Sequence, residues 1–264
     1  MLEISPAWYP TINVRRSRRS YIRNKAMDAD SLRRLREVCS GFSPYSSVRV
    51  EFVTEPPDDV FANAVGFYGN IKSAPAFLAF IGDISDPNVQ EKMGYTGEAT
   101  ILEATALGLG PCWVALTYNT KRVKSLIKLE RSEEIICVSP VGYTTDKWSF
   151  QEKAFSGFGS NHQRRPLQSM VSGLPEAQRP DWAQAAVEAA RLAPSAMNRQ
   201  PWDFHVDKDG ITVSVKGSGP EFHVARRLDC GIAMLHIELG ALSRGATGQW
   251  DFLTHPQVAR FKVK

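Results

Sequence analysis

An α+β fold made of two related halves is what this sequence predicts, on three observations. Short apolar strands alternate with helix-length patterns: Val48-Arg49-Val50-Glu51-Phe52-Val53 alternates like a half-buried strand, Pro75-Ala76-Phe77-Leu78-Ala79-Phe80-Ile81 is apolar enough for burial on both faces, and about Pro87 to Leu107 reads as a long helix. The order of elements then starts again after Ser156-Gly157-Phe158-Gly159-Ser160-Asn161, a boundary-type loop. Finally, Leu102, Ala104, Gly108 and Trp113 recur as Leu239, Ala241, Gly245 and Trp250 at a constant offset of 137 residues, far longer than a solenoid period. The expected halves are residues 1–160 and a shorter 161–264.

Taken in order, residues 1–14, with Pro6 and Pro10, read as an irregular arm. Asp28 or Asp30 can cap a helix whose Leu32, Leu35, Val38 and Cys39 form an apolar stripe ending near Gly41. After the alternating strand, a helix is expected from about Asp59 to Tyr68, then the buried strand, then the long helix, whose Gly97, Ala99, Ala104 and Ala106 permit close packing. Gly108-Leu109-Gly110 stops that helix; it is no dinucleotide fingerprint, because the third glycine is missing and the segment follows a helix instead of opening one. Cys112-Trp113-Val114-Ala115-Leu116 is expected as a strand, Thr120 to Ile127 as a short helix, and Ile135-Ile136-Cys137-Val138 as a strand leaving through Pro140. In the second half Pro180-Asp181-Trp182 opens an Ala-rich helix that must stop at Leu192 or Ala193, because Pro194 disfavours helical backbone before it. Trp202 to Val206 is a strand, a turn falls at Asp209-Gly210, and a helix follows around Asp229 to Leu242.

Composition excludes several classes. At 264 residues with 43% hydrophobic content the chain can bury a substantial core. It has no run of eighteen apolar residues, and Met1-Leu2-Glu3-Ile4-Ser5-Pro6 lacks the apolar core of a signal peptide, so no membrane span is expected and a cytoplasmic location is. Four scattered cysteines in apolar surroundings read as reduced core thiols, not disulfides or metal ligands. No two of the five histidines have metal-ligand spacing. The net charge of +4 is local: Arg15, Arg16, Arg18, Arg19, Arg23 and Lys25 supply six positive charges, and taking them away leaves −2. So compact a cluster suits a small anion better than a nucleic-acid face. Guanidinium forks and the Ser17 hydroxyl are apt donors to phosphate.

Two motifs carry a family resemblance. Ala193-Pro194-Ser195-Ala196-Met197-Asn198-Arg199-Gln200-Pro201-Trp202 resembles the flavin-contacting segment of the FMN-dependent nitroreductase family, and Arg15-Arg16-Ser17-Arg18-Arg19-Ser20-Tyr21 is similar to that family's N-terminal phosphate motif. Gly108 to Val114 is a third, looser match. The usual member has the two main motifs a few tens of residues apart, whereas here Ser195 lies 178 residues after Ser17. The first half carries Ser43-Pro44-Tyr45-Ser46-Ser47 where the flavin segment would fall, and the second half lacks the arginine motif. Family members are typically dimers with FMN at the interface. The chain therefore resembles the Thermotoga-type tandem group: a nitroreductase-like three-layer αβα sandwich whose two degenerate repeats form an intramolecular pseudo-dimer, with one composite site and a monomeric protein expected.

By that resemblance Arg15, Arg16, Ser17 and Arg19, closed by Arg165, bind the phosphate and ribityl oxygens; Pro194, Ser195, Ala196 and Asn198 meet the isoalloxazine ring; and Ala115 and Leu116 offer backbone N–H groups toward N5 and O4. The implied activity is ping-pong reduction of a small-molecule acceptor, nitroaromatic, quinone or similar, by NAD(P)H. The flavin carries the chemistry, so no catalytic side chain is expected. The alternatives are a non-catalytic flavin-binding protein and another flavin reaction such as dehalogenation. Nucleic-acid binding ranks last.

Overall fold

The computed structural model describes residues 2–55, 57–61, 71–145, 163–217, 221 and 224–264. The expected boundary loop, and all but the start of the helix expected at 59–68, lie outside them.

The expected irregular arm holds a helix in its second part: α1 runs Trp8–Val14. Pro10 falls in its first turn, where the missing N–H has no intrahelical acceptor to lose. Trp8 donates from Nε1 to Glu103 and packs edge-on against Phe42, which fixes the helix to the core. Helix α2, Ala29–Gly41, starts where Asp28 accepts the Ser31 N–H. The strands β1 (Val48–Val53), β2 (Ala76–Asp83) and β3 (Glu133–Val141) form an antiparallel sheet in the order β1-β2-β3. Between them lie α3 (Asp58–Phe61), α4 (Val89–Ala106) and α5 (Thr120–Leu126). The continuous apolar run of β2 has its reason here. Phe77, Ala79 and Ile81 pack with Val60, Phe61 and Val123 on one side, while Leu78 and Phe80 pack with Met93 and Ile101 of α4 on the other.

The second half holds β4 (Val171–Gly173), α6 (Asp181–Arg191), β5 (Trp202–Val206), β6 (Gly210–Val215), α7 (Arg226–Leu242), β7 (Gly248–Phe252) and β8 (Gln257–Val263). Its sheet runs β4-β5-β6-β8-β7, antiparallel except for β4 against β5. Trp202, Phe204 and Val206 are buried while Asp203 and His205 between them are not, so this sheet packs one face on the helices.

The two parts of the chain share several features. The order β5-β6-β8-β7 reproduces β1-β2-β3 followed by the Val114–Val138 bridge. Both long helices end alike: Gly108, at φ +72°, and Gly245, at +75°, turn the chain. In each, the next residue's N–H returns to a carbonyl five positions back, Leu109 to Ala104 and Ala246 to Ala241. Helices α4 and α7 cross at glycines that share the 137-residue offset. A Cβ on Gly94 would lie 2.1 Å from the Leu228 carbonyl oxygen, and one on Gly231 would lie 2.0 Å from that of Glu91. Gly94 and Gly231, not the expected Gly97, allow the backbones to meet. The expected strand Cys112–Leu116 is only that single bridge, because after it the chain leaves the sheet edge to wall a cavity.

Candidate flavin site

A cavity of about 500 Å³ opens between segments far apart in the sequence. Trp113 and the run Val114 to Thr117 form one wall, Pro194 to Met197 another, and Leu228, Asp229 and Ile232 of α7 a third; Ser17 and Arg19 reach it from the N-terminal motif.

The Pro194 segment takes its shape from a turn that few side chains tolerate. Met197, Asn198 and Gln200 have φ of +54°, +53° and +46°, in the left-handed region. Hydrogen bonds hold it there: Ser195 Oγ accepts the Gln200 N–H at 2.9 Å, and Asp229 Oδ1 accepts the Ala196 N–H at 3.0 Å. Asp229 also accepts Arg199 Nε at 2.7 Å. Burial nevertheless raises its pKa to about 6, outweighing both donors.

The Trp113 wall is equally fixed. Its ring stacks on Phe80 with centroids 4.4 Å apart, and Nε1 donates to Glu98 Oε2 at 2.8 Å. Gly97 leaves the room, since a Cβ there would stand 2.5 Å from the indole. Glu98 and His236 are fully buried; His236 Nε2 lies 3.0 Å from Glu98 Oε1 and Nδ1 lies 3.0 Å from the Ala189 carbonyl, tying α4, α6 and α7 together behind the wall.

Positive charge gathers beside the cavity without matching carboxylates. Arg15 is 7% exposed, and its one side-chain hydrogen bond, among the described residues, is to Ser17 Oγ at 3.5 Å. Burial lowers its pKa; nearby Glu98 opposes that shift but bonds Trp113 and His236 instead. Arg164 has its pKa lowered to about 10 by burial and by Arg15, Arg16 and Arg191, and its Nε is buried without a partner. Cations held this close, with no carboxylate hydrogen-bonded to them among the described residues, are what a phosphate would satisfy.

Of the residues expected at the site, Ser17, Arg19, Ala115, Leu116, Pro194, Ser195 and Ala196 line the cavity. Neither Ala115 nor Leu116 donates its N–H to another group among the described residues. Arg15 and Arg16 stand behind Ser17 in the cationic cluster. Asn198 does not line the cavity: Oδ1 accepts Arg164 Nη1 at 2.5 Å and Nδ2 donates to the Gln163 carbonyl at 2.9 Å, so it shapes the turn while Met197 takes the wall. Arg165 does not close the cluster, because its guanidinium is spent on the carbonyls of Gln200, Trp202 and Ser169 and on Asp203. Arg164 stands next to Arg15 and Arg16 in that cluster. Sequence reasoning missed Arg164, Trp113 and Asp229. Arg164 had a local signal in its adjacency to Arg165, and Trp113 in lying within the looser Gly108–Val114 match. Cys39, Cys112, Cys137 and Cys230 are all free and buried, and no cluster able to hold a metal occurs among the described residues.

Residues 7–241 match the family described as "Putative TM nitroreductase". The chain belongs to this nitroreductase family. A crystal structure of a "putative nitroreductase" from Thermotoga maritima MSB8 superposes on this nitroreductase-family protein with a TM-score of 0.64 at 19% identity, covering 100% of this chain and 96% of the other. At that identity the likeness is one of fold: the α+β nitroreductase fold extends over the whole chain. Partial matches include an FMN-dependent nitroreductase from Clostridium difficile R20291 (TM-score 0.44, 18% identity, 53% of this chain and 88% of that one). Another is a nitroreductase with bound FMN from Bacteroides fragilis NCTC 9343 (TM-score 0.43, 18% identity, 54% of this chain and 91% of that one). No curated protein matches the sequence significantly. No helix among the described residues is long and apolar enough to cross a membrane.

Proposed function

We propose that this nitroreductase-family protein is an FMN-dependent oxidoreductase that draws electrons from NAD(P)H and passes them to a nitroaromatic, quinone or similar small acceptor. The observation that carries the reading is the meeting, across one cavity, of two segments 178 residues apart, each resembling half of a flavin site.

The residues fit the group. Arg15, Arg16 and Arg164 would hold the phosphate, because they form a cationic cluster that no carboxylate of the described residues neutralises through a hydrogen bond. Ser17 and Arg19 would meet the ribityl chain, and Pro194, Ser195 and Ala196 one side of the ring. The N–H groups of Ala115 and Leu116 would donate to its polar edge, where they stabilise negative charge. FMN, when bound, supplies two-electron redox chemistry, which is why the cavity needs no side-chain acid or base. The protein's work is orientation. Trp113 keeps an apolar wall at fixed depth, and Leu116 and Met197, 51% and 69% exposed, leave an apolar rim for a flat co-substrate.

The test is NAD(P)H oxidation by FMN-loaded, desalted protein with a quinone or nitroaromatic acceptor. Acceptor-dependent turnover supports the reading. Retained flavin without turnover reduces the protein to a flavin binder.

A further inference from the structure

Beside the main cavity lies a second, of about 320 Å³, lined by Arg165, Arg199, Gln200, Pro201, Lys216 and Arg226. Arg199 and Arg226 line both, so the two spaces adjoin. Four of its six residues are cations. Against them stand two carboxylates: Asp203 takes Arg165 and Lys216, and Asp229 takes Arg199. Glu221, on the main-cavity side, is a third carboxylate and accepts the Arg226 backbone N–H, so four positive charges against three leave a surplus of one.

The surplus sits on groups with donors to spare. The Arg226 guanidinium makes no hydrogen bond or ion pair among the described residues, and it stands in the first turn of the 17-residue α7. Arg199 commits Nε to Asp229 and Nη2 to the Val224 carbonyl, leaving Nη1 without a partner among the described residues. The strained turn at Gln200 explains why Arg199 stands there. Gln200 is 5% exposed, and its side chain accepts the Arg165 N–H and donates to the Gln163 and Asn198 carbonyls, so the turn is held from inside.

We propose that this second cavity receives an anionic arm, phosphate or carboxylate, of the co-substrate whose ring enters the main cavity. The proposal rests on the oxidoreductase reading for the identity of that ring. Cationic forks joined to an apolar slot select a molecule that is flat at one end and anionic at the other. A phosphomonoester on the electron donor and an acid group on the acceptor are the two sources of that chemistry.

The experiment is calorimetric titration of FMN-loaded protein with two probe pairs: adenosine 2′,5′-bisphosphate against adenosine 5′-monophosphate, and anthraquinone-2-carboxylate against anthraquinone. Wild-type protein is expected to prefer the more charged member of at least one pair by about tenfold, the strength of a charge-assisted contact. Lys216→Gln and Arg226→Gln should each remove most of that preference, Lys216→Arg and Arg226→Lys should restore it, and 0.5 M salt should erase it. Preference within the nucleotide pair assigns the arm to the donor; preference within the quinone pair assigns it to the acceptor. Equal affinities in both pairs, or a preference that survives both glutamine variants, overturns the proposal. Flavin absorbance of the same samples separates the two readings: lost flavin with a surviving charge preference defeats the oxidoreductase reading alone, and retained flavin without the preference defeats this inference alone.

Discussion

Arg15 is buried with no carboxylate accepting from its guanidinium among the described residues, an arrangement that costs stability unless an anion arrives. Replacing it with methionine, similar in length and uncharged, should raise the stability of the flavin-free protein by about 1 kcal/mol or more while lowering FMN affinity by at least about tenfold. Thermal unfolding with and without FMN checks both, and a variant that loses stability and keeps affinity contradicts the assignment. Asp229 makes a pH prediction. Its pKa is raised from 3.8 to about 6, so between those values the unfolded chain has released a proton that the folded one keeps, and stability falls as pH rises. The span corresponds to on the order of 3 kcal/mol. Asp229→Asn lacks the titration; in urea unfolding it should gain on the wild type by that order between pH 4 and 7, and a constant gap would refute the shift. At this scale the sequence revealed what is contiguous. Ser17, Arg19 and Pro194 to Ala196 were readable because each motif places its own residues side by side. Asp229 and Trp113 were not, because they reach the cavity only through the packing of α7 and of the Phe80 face. Which of Arg164 and Arg165 stands in the cationic cluster depends on the hydrogen bonds that the Arg165 guanidinium makes elsewhere, which the letters alone do not show.

Helices α4 and α7 meet through backbone, and their glycines are the weak points of the element scale. Gly94→Ala or Gly231→Ala would put a methyl within 2.1 Å or 2.0 Å of a carbonyl oxygen, and neither neighbour is a side chain that can swing away. Each substitution should destabilise by about 3 kcal/mol or more, read as a shift in urea midpoint; Gly108→Asn, at an open left-handed position, should cost far less. If Gly94→Ala is tolerated as well as Gly108→Asn, the close crossing is wrong. Elements were legible where burial is uniform or alternating: β1 and β2 follow their apolar patterns, and the Asp28 cap and Gly108 stop fall where turn chemistry requires. Helix α1 was hidden by its proline, and Cys112 to Leu116 reads as a strand because a cavity wall is as apolar as a sheet interior.

At the scale of the molecule, the repeat explains why one site survives. We propose that the two sheets, of three and five strands, derive from one repeated unit around the α4–α7 glycine crossing, and that the two flavin-type segments, 178 residues apart, meet at one composite cavity. Because α4 and α7 bury their contact faces against each other within one chain, we expect the protein to be a monomer. Light scattering should return a mass near 29.3 kDa, and twice that mass would contradict the expectation. The central claim is the composite site, and the most direct measurement is the visible spectrum of protein mixed with excess FMN and then desalted, for the wild type, Arg15→Ala and Ser195→Trp. One flavin per chain in the wild type and less in each variant, although their substitutions lie in opposite halves, is the predicted result; no retained flavin, or retention unchanged in both variants, would contradict it.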